Sequence, residues 1–92
     1  MDDKRKAELE THLSALHAEL GELARTDAHR AKTVAGFAEL SAHEATRPKP
    51  NRELLGLSLS GLRKSVEEFE ETHPRLVEIV GSVSSLLSSV GM

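Results

Sequence analysis

One spacing of large apolar residues occurs three times in this sequence and restricts its fold more than any other feature. Successive residues are four, three, four and three positions apart. An α-helix has about 3.6 residues per turn, so these steps keep the side chains on one stripe of a helix. We call the three runs seams: Leu9, Leu13, Leu16, Leu20 and Leu23; Leu55, Leu59, Leu62, Val66 and Phe69; Leu76, Val80, Val83, Leu87 and Val90. The spacing predicts an all-α protein.

Prolines and capping residues divide the chain into four predicted helices within a single domain, residues 1–92. Pro48 and Pro50 cannot continue a helix, whereas Pro74 suits the first turn of one. Asp27 and Asn51 are predicted N-caps, and Gly91 is a predicted C-terminal cap. The expected bounds are about 4–24, 28–45, 52–72 and 74–90, with a proline-containing linker at 47–51.

The predicted helices are expected to form two hairpins that pack into an antiparallel bundle completed by dimerisation. Helix 4 carries an uncharged second face of glycine and serine, which indicates neighbours on more than one side. We therefore place it at the centre, and its expected subunit-interface residues are Val80, Val83, Leu87 and Val90. Helix 2 is less constrained because its inner face is mostly alanine. Glycine and serine alternate with leucine at 55–61, which also permits an extended or frayed segment there.

Composition excludes several classes of site. The 92 residues include no Cys, so disulfides, thiolate metal ligands and thiol catalysis are excluded. The longest uncharged stretch, 79–92, is shorter than the roughly 20 residues of a membrane span, and the N-terminus has no apolar leader segment. Net charge is −3, and only the short 47–52 stretch is basic. We expect a soluble, cytoplasmic protein without nucleic-acid or membrane partners.

Two polar groups have some features of metal sites. Glu70 and His73 have the Glu-x-x-His spacing of di-iron bundles, but such a site needs a second pair and two more carboxylates. The simpler interpretation is that His73 closes a helix end. His12 and His17 lie on opposite shoulders of helix 1, so we interpret them as interface or surface residues rather than ligands.

Three further patterns favour no chemistry. Glu67, Glu68, Glu70 and Glu71 form an acidic cluster, which fits a solvated face; the alternative is a docking surface for a basic segment such as 47–52 of another subunit. Arg47, Lys49 and Arg52 have no aromatic neighbour for stacking on bases. The segment from Gly56 through Ser58 to Gly61 narrowly misses the nucleophile-elbow spacing and has no strand before it.

Two stretches resemble a known family. Leu13 to Leu20 is similar to the pattern L-x-x-L-H-x-E-L, and Phe69 to Leu76 is similar to F-E-x-[ST]-H-P-x-L. The C-terminal Val90-Gly91-Met92 is similar to a terminal M-G-I, although the usual L-A-N before it is Leu-Ser-Ser here. These motifs resemble a family of small bacterial proteins catalogued as a domain of unknown function. The resemblance implies a bacterial, helical, soluble protein and supplies no activity, cofactor or site residue.

The sequence thus predicts a small non-enzymatic protein that self-associates and acts through helix–helix contacts as an interaction or scaffold protein. The alternative is a bundle that binds a metal or a small ligand. We assign no catalytic, cofactor-binding or metal-binding residue and expect no cofactor. The expected partners are a second copy of the chain and an unidentified protein.

Overall fold

The computed structural model describes residues 2–90, and the polypeptide in this range is helical with no strand. Four α-helices and one 3-10 turn make up its regular structure: α1 (Asp3–Ala24), α2 (Ala28–Ala45), α3 (Arg52–Val66), the 3-10 turn (Glu67–Phe69) and α4 (Pro74–Val90). The all-α prediction is confirmed. The predicted C-terminal cap, Gly91, lies outside the described residues.

Short polar side chains fix where three helices begin. The Asp2 carboxylate accepts the backbone N–H of Arg5 at 2.8 Å. Asp27 accepts the N–H of Arg30 at 3.1 Å, and Asn51 accepts the N–H of Leu54 at 3.0 Å. Each cap satisfies a donor that the helix itself leaves without a partner. The predicted caps Asp27 and Asn51 are confirmed.

The three seams form one core. All of their residues are buried except Leu13 and Val90, which are half-buried. Helix α1 packs on α2 and α4, and α3 packs on the same two helices, while the backbones of α1 and α3 do not approach closely. The radius of gyration is 12.5 Å, close to the value of about 12 Å for a compact domain of this length. One chain therefore buries its seams without a second copy.

The α-helical part of α3 ends at Val66 rather than continuing to Thr72 as predicted. A 3-10 turn follows and carries Phe69 into the core, where it is 7% exposed. The N–H of His73 then bonds to the carbonyl of Phe69 at 2.7 Å. Pro74 disfavours α conformation only in His73, the residue before it, so the earlier end at Val66 goes with the 3-10 turn that buries Phe69.

The extended segment considered at 55–61 does not form. Residues Arg52–Val66 are continuously helical, because Leu55, Leu59 and Leu62 all turn into the core at helical spacing. Burial on this stripe outweighs the low helix propensity of the intervening glycines and serines.

Three of the four predicted interface residues are core residues instead. Val80, Val83 and Leu87 are 1%, 0% and 0% exposed within the single chain, so they have no surface left for a second copy. The fourth, Val90, is half-buried, and its interface role stays a prediction. Their spacing identifies a buried stripe correctly, but it does not distinguish a core within one chain from a core between two.

The uncharged second face of α4 is partly buried and partly exposed to solvent. Ser84 is buried, while Gly81, Ser82 and Ser85 are exposed. Helix α4 contacts all three other helices, and so does α2. The absence of charge on this face therefore marks only partial enclosure. No helix within residues 2–90 combines the length and apolar character needed to cross a bilayer.

A buried carboxylate holds the proline-containing loop between α2 and α3. Glu44, which is 4% exposed, accepts the backbone N–H of Asn51 at 2.9 Å. Both of its oxygens also accept from the Arg47 guanidinium, at 3.2 and 3.1 Å. The Asn51 N–H, opposed by burial and aided by Arg47, holds the pKa of Glu44 below its ordinary value. The last turn of α2 is thus joined to the N-cap of α3.

Close packing of α2 on α3 depends on one glycine. A Cβ atom placed on Gly61 would lie 2.4 Å from Cε1 of Phe37, so the ring occupies the space of the absent side chain. One turn along, the hydroxyl oxygens of Ser41 and Ser58 lie 3.0 Å apart in the buried contact between these helices. By contrast, a Cβ on Gly56 would meet nothing within 4 Å.

Acid should weaken the loop through Glu44. Its pKa is lower in the folded chain than its ordinary value of 4.5, so its contribution is complete above the unfolded pKa and is lost as the pH falls through the folded pKa. Glu44→Gln should therefore flatten the fall in the free energy of unfolding between about pH 6 and pH 3. Urea titrations followed by circular dichroism measure this slope. Glu10→Gln, at an exposed site on α1, is the control, and equal slopes for both variants would contradict the assignment.

The two glycines of α3 should respond oppositely to alanine. Gly56→Ala should raise the free energy of unfolding by about 0.5–1 kcal/mol, because alanine is the better helix former and has room here. Gly61→Ala should lower it, because the new methyl group displaces the Phe37 ring. Urea unfolding of the two variants measures the sign of each change in the free energy of unfolding. If both variants are more stable, the position of the Phe37 ring does not require a glycine at position 61.

Candidate functional site

The surface feature with the clearest functional content is an apolar patch shared by α2 and α3. Leu40, Leu54 and Leu57 are 53%, 50% and 64% exposed, and they are the exposed large apolar residues of the described chain. They lie around one recess together with the half-buried Phe37. We call these four residues the α2–α3 patch. Exposed leucines are ordinary when scattered, and a contiguous group of them is a candidate binding surface.

Helix geometry explains why these leucines face outward. On α2 the buried stripe runs through Val34, Ala38 and Ala45, and Leu40 lies away from it. On α3 the seam residues Leu55, Leu59 and Leu62 turn inward, and Leu54 and Leu57 form a second stripe beside them.

The patch contains both a depression and projections. The recess has a volume of about 170 Å³, and its remaining lining residues are Glu44 and Ser58. A second recess of about 230 Å³ continues along α2 and shares Phe37 and Leu40 with the first. Together the recesses extend along the outer side of α2 from Lys32 to Glu44, with the leucine side chains standing beside them.

Exposed charged residues lie at the edges of the patch or just beyond it. Lys32 and Glu39 are exposed on α2; Lys64 on α3 and Glu67 on the 3-10 turn are also exposed. Within residues 2–90 none of the four lies within 4.0 Å of an oppositely charged group. These edges are therefore available for ion pairs with a partner. The carboxylate at the floor, Glu44, is already satisfied by Asn51 and Arg47.

The proposed Glu70–His73 pair is not assembled into a metal site. Glu70 is exposed, while the His73 ring packs edge-on against Phe69 at 5.6 Å and its Nδ1 lies 3.1 Å from the Thr72 hydroxyl. Over the described part of the chain, no three His, Asp or Glu side chains come together in a metal-binding arrangement. His73 is thus placed at the helix break, in line with the simpler interpretation.

The other sequence candidates are dispersed. His12 is half-buried and His17 is exposed, both on α1. Within the acidic cluster, Glu68 pairs with Arg30 of α2 in the same chain. Because Arg47 is held by Glu44, the suggested contact between the acidic cluster and the 47–52 stretch of another subunit has a competing partner on each side. Ser58 is 3% exposed and bonds to the Leu55 carbonyl at 2.9 Å, which does not match an exposed nucleophile.

Sequence reasoning missed the patch. It described helix 2 only by its mostly alanine inner face, and it treated the alternation of leucine with glycine and serine at 55–61 as a possible extended segment. The signal was present in α3, because Leu54 and Leu57 are three positions apart and both lie off the seam. Two leucine stripes on one short helix indicate two packing surfaces.

Comparison with known proteins gives a family but no relative of known activity. No curated protein matches the chain, and no solved structure matches it. A family model described as "Domain of unknown function (DUF4404)" matches residues 9–92. This match includes the second and third helices as well as the two stretches that carry the resemblance. The chain therefore belongs to the DUF4404 family.

Proposed function

We propose that this protein is a small non-enzymatic interaction protein that self-associates through the α2–α3 patch. The observation that carries the proposal is that the exposed leucines of residues 2–90 are gathered in this one place, although the chain completes its core alone. Keeping Leu40, Leu54 and Leu57 in water has an energetic cost that a partner would remove, at roughly 1.5–3 kcal/mol for each side chain fully buried.

Size and shape support a protein side chain as the occupant. Each of the two recesses, about 170 and 230 Å³, is by itself smaller than the usual ligand pocket of about 300–1,000 Å³. An apolar cavity of about 150 Å³ holds a benzene-sized group. The recess therefore fits one large apolar side chain, and the patch itself offers such side chains in Leu40 and Leu57. A surface with both the projection and the depression is complementary to a second copy of itself.

The helix arrangement that accompanies this proposal is two antiparallel hairpins, α1 with α2 and α3 with α4. Three contacts support the antiparallel course of α2 and α3: Arg30 pairs with Glu68, Phe37 lies on Gly61, and Ser41 meets Ser58. Position numbers rise along α2 as they fall along α3. The connections between helices are short, which favours antiparallel neighbours in a bundle.

A small apolar ligand in the same recess is the second candidate, favoured by its lining of Phe37 and leucines. It differs from the first in needing no second chain, so it predicts a monomer at all concentrations. The metal-binding alternative gains no geometric support from the surroundings of His73. In the proposed role the protein acts in the bacterial cytoplasm without nucleic acid or membrane, which the lack of Cys and the net charge of −3 support.

Replacing one patch leucine should separate association from folding. Leu57→Glu should weaken self-association, because each copy loses roughly 2 kcal/mol of apolar burial, which over two copies is about a thousandfold in affinity. The monomer should remain as stable as before, since position 57 is exposed. Light scattering on a sizing column, from about micromolar to millimolar protein, measures mass against 10.0 kDa for one chain.

Ser85→Glu is the matched control because it places the same charge on the exposed face of α4. The proposal expects this variant to associate like the unmodified chain. A loss of association with Ser85→Glu and not with Leu57→Glu would move the interface to α4. A mass of 10.0 kDa at every concentration for the unmodified chain would reject self-association altogether.

A further inference from the structure

We infer that the two copies associate with α2 of one chain lying on α3 of the other, so that Leu40 packs against the partner's Leu57. This inference rests on the proposed self-association and adds its geometry. The twofold axis would run parallel to the helices, between α2 and α3. Each Leu40–Leu57 contact would then occur twice, as a twofold interface requires.

The register between α2 and α3 within one chain is the first step. Arg30 is level with Glu68, Phe37 with Gly61, and Ser41 with Ser58. Along this ladder, Leu40 and Leu57 each directly precede a residue of the serine pair. The two leucines therefore lie at nearly the same height, on neighbouring helices of one face.

A twofold axis parallel to the helices preserves height and exchanges α2 with α3. Because Leu40 and Leu57 share a height, this axis places the most exposed leucine of each helix against the other one in the partner. Both are then covered, and the recess between them is closed by the same contact. A twofold axis perpendicular to the helices would instead place α2 on the partner's α2.

Charge favours the parallel axis. On the same ladder Lys32 is level with Glu67, since Arg30 meets Glu68. Lys32 lines the recess along α2, and Glu67 lines a recess on the α4 side of α3. The parallel axis brings Lys32 of one chain and Glu67 of the partner to the same edge of the interface. The perpendicular axis, centred on Leu40, would place Glu39 beside the partner's Glu39, where two like charges repel. All three are exposed and lack an ion-pair partner within residues 2–90.

Disulfide trapping tests the geometry cleanly because the sequence has no cysteine. Leu40→Cys and Leu57→Cys chains each carry one thiol, and diamide oxidises neighbouring thiols to a disulfide. We expect the mixture of the two variants to cross-link roughly a hundredfold faster than either alone at about 10 µM, because contact in the dimer raises the effective thiol concentration to the millimolar range. A mixture of Ser85→Cys with Leu57→Cys measures collisional cross-linking. Non-reducing electrophoresis gives the rates.

Each outcome has a distinct meaning. Fast cross-linking of the mixture only would support the α2-on-α3 geometry. Cross-linking of Leu40→Cys alone at the rate of the mixture would overturn it, in favour of α2 on the partner's α2, while self-association through the patch would stand. Collisional rates for all samples, with a dimeric mass for the unmodified chain, would place the interface elsewhere. Collisional rates with a monomeric mass would reject the proposed function as well.

Charge exchange provides a second test that leaves the leucines intact. Lys32→Glu and Glu67→Lys should each weaken the dimer by roughly tenfold, because two surface ion pairs become two repulsive contacts. The double variant restores both pairs and should return to within about twofold of the unmodified affinity. Light scattering or sedimentation gives the dissociation constants. Equal weakening by the double variant and the single variants would contradict the proposed contact.

Discussion

The position of everything on the α2–α3 face depends on one buried carboxylate. Glu44 lies in the last turn of α2, yet it accepts the N–H of Asn51, the residue that caps α3. The prolines between them prevent a helical connection and supply no N–H of their own, so a side chain has to provide the link. With this link in place, Phe37 meets Gly61 and the leucines of the two helices come together on one surface.

Local chemistry made the helices and their caps predictable. A seam needs only a regular spacing, and a cap such as Asp27 needs only a short acceptor before the first turn, so both can be recognised without knowing the fold. The end of α3 at Val66 coincides with the 3-10 turn that buries Phe69. This position follows from three-dimensional packing, which explains why the predicted end at Thr72 lies too far along the chain.

The candidate site was not predictable in the same way. The spacing of Val80, Val83 and Leu87 predicts a buried stripe. The same spacing would occur whether the helix that covers them belongs to the same chain or to another. Leu40 is as apolar as a core residue. Only the packed structure shows that α2 buries alanines and leaves Leu40 exposed. Helix α2 meets α3 through Phe37, which occupies the space beside Gly61, and through Ser41. Leu40 lies off both this contact and the buried stripe, so it remains on the outside.

The connections at both ends of the bundle share one chemical property. Arg30 joins the cap of α2, through Asp27, to Glu68 in the turn before α4, and Glu44 fastens the loop at the other end of α2. Each of these contacts involves a carboxylate, whereas the seams contain no charged residue. Burial of the apolar stripes has no preferred direction and sets which helix faces pack together, whereas the directional contacts at the two ends hold α2 and α3 in a single register.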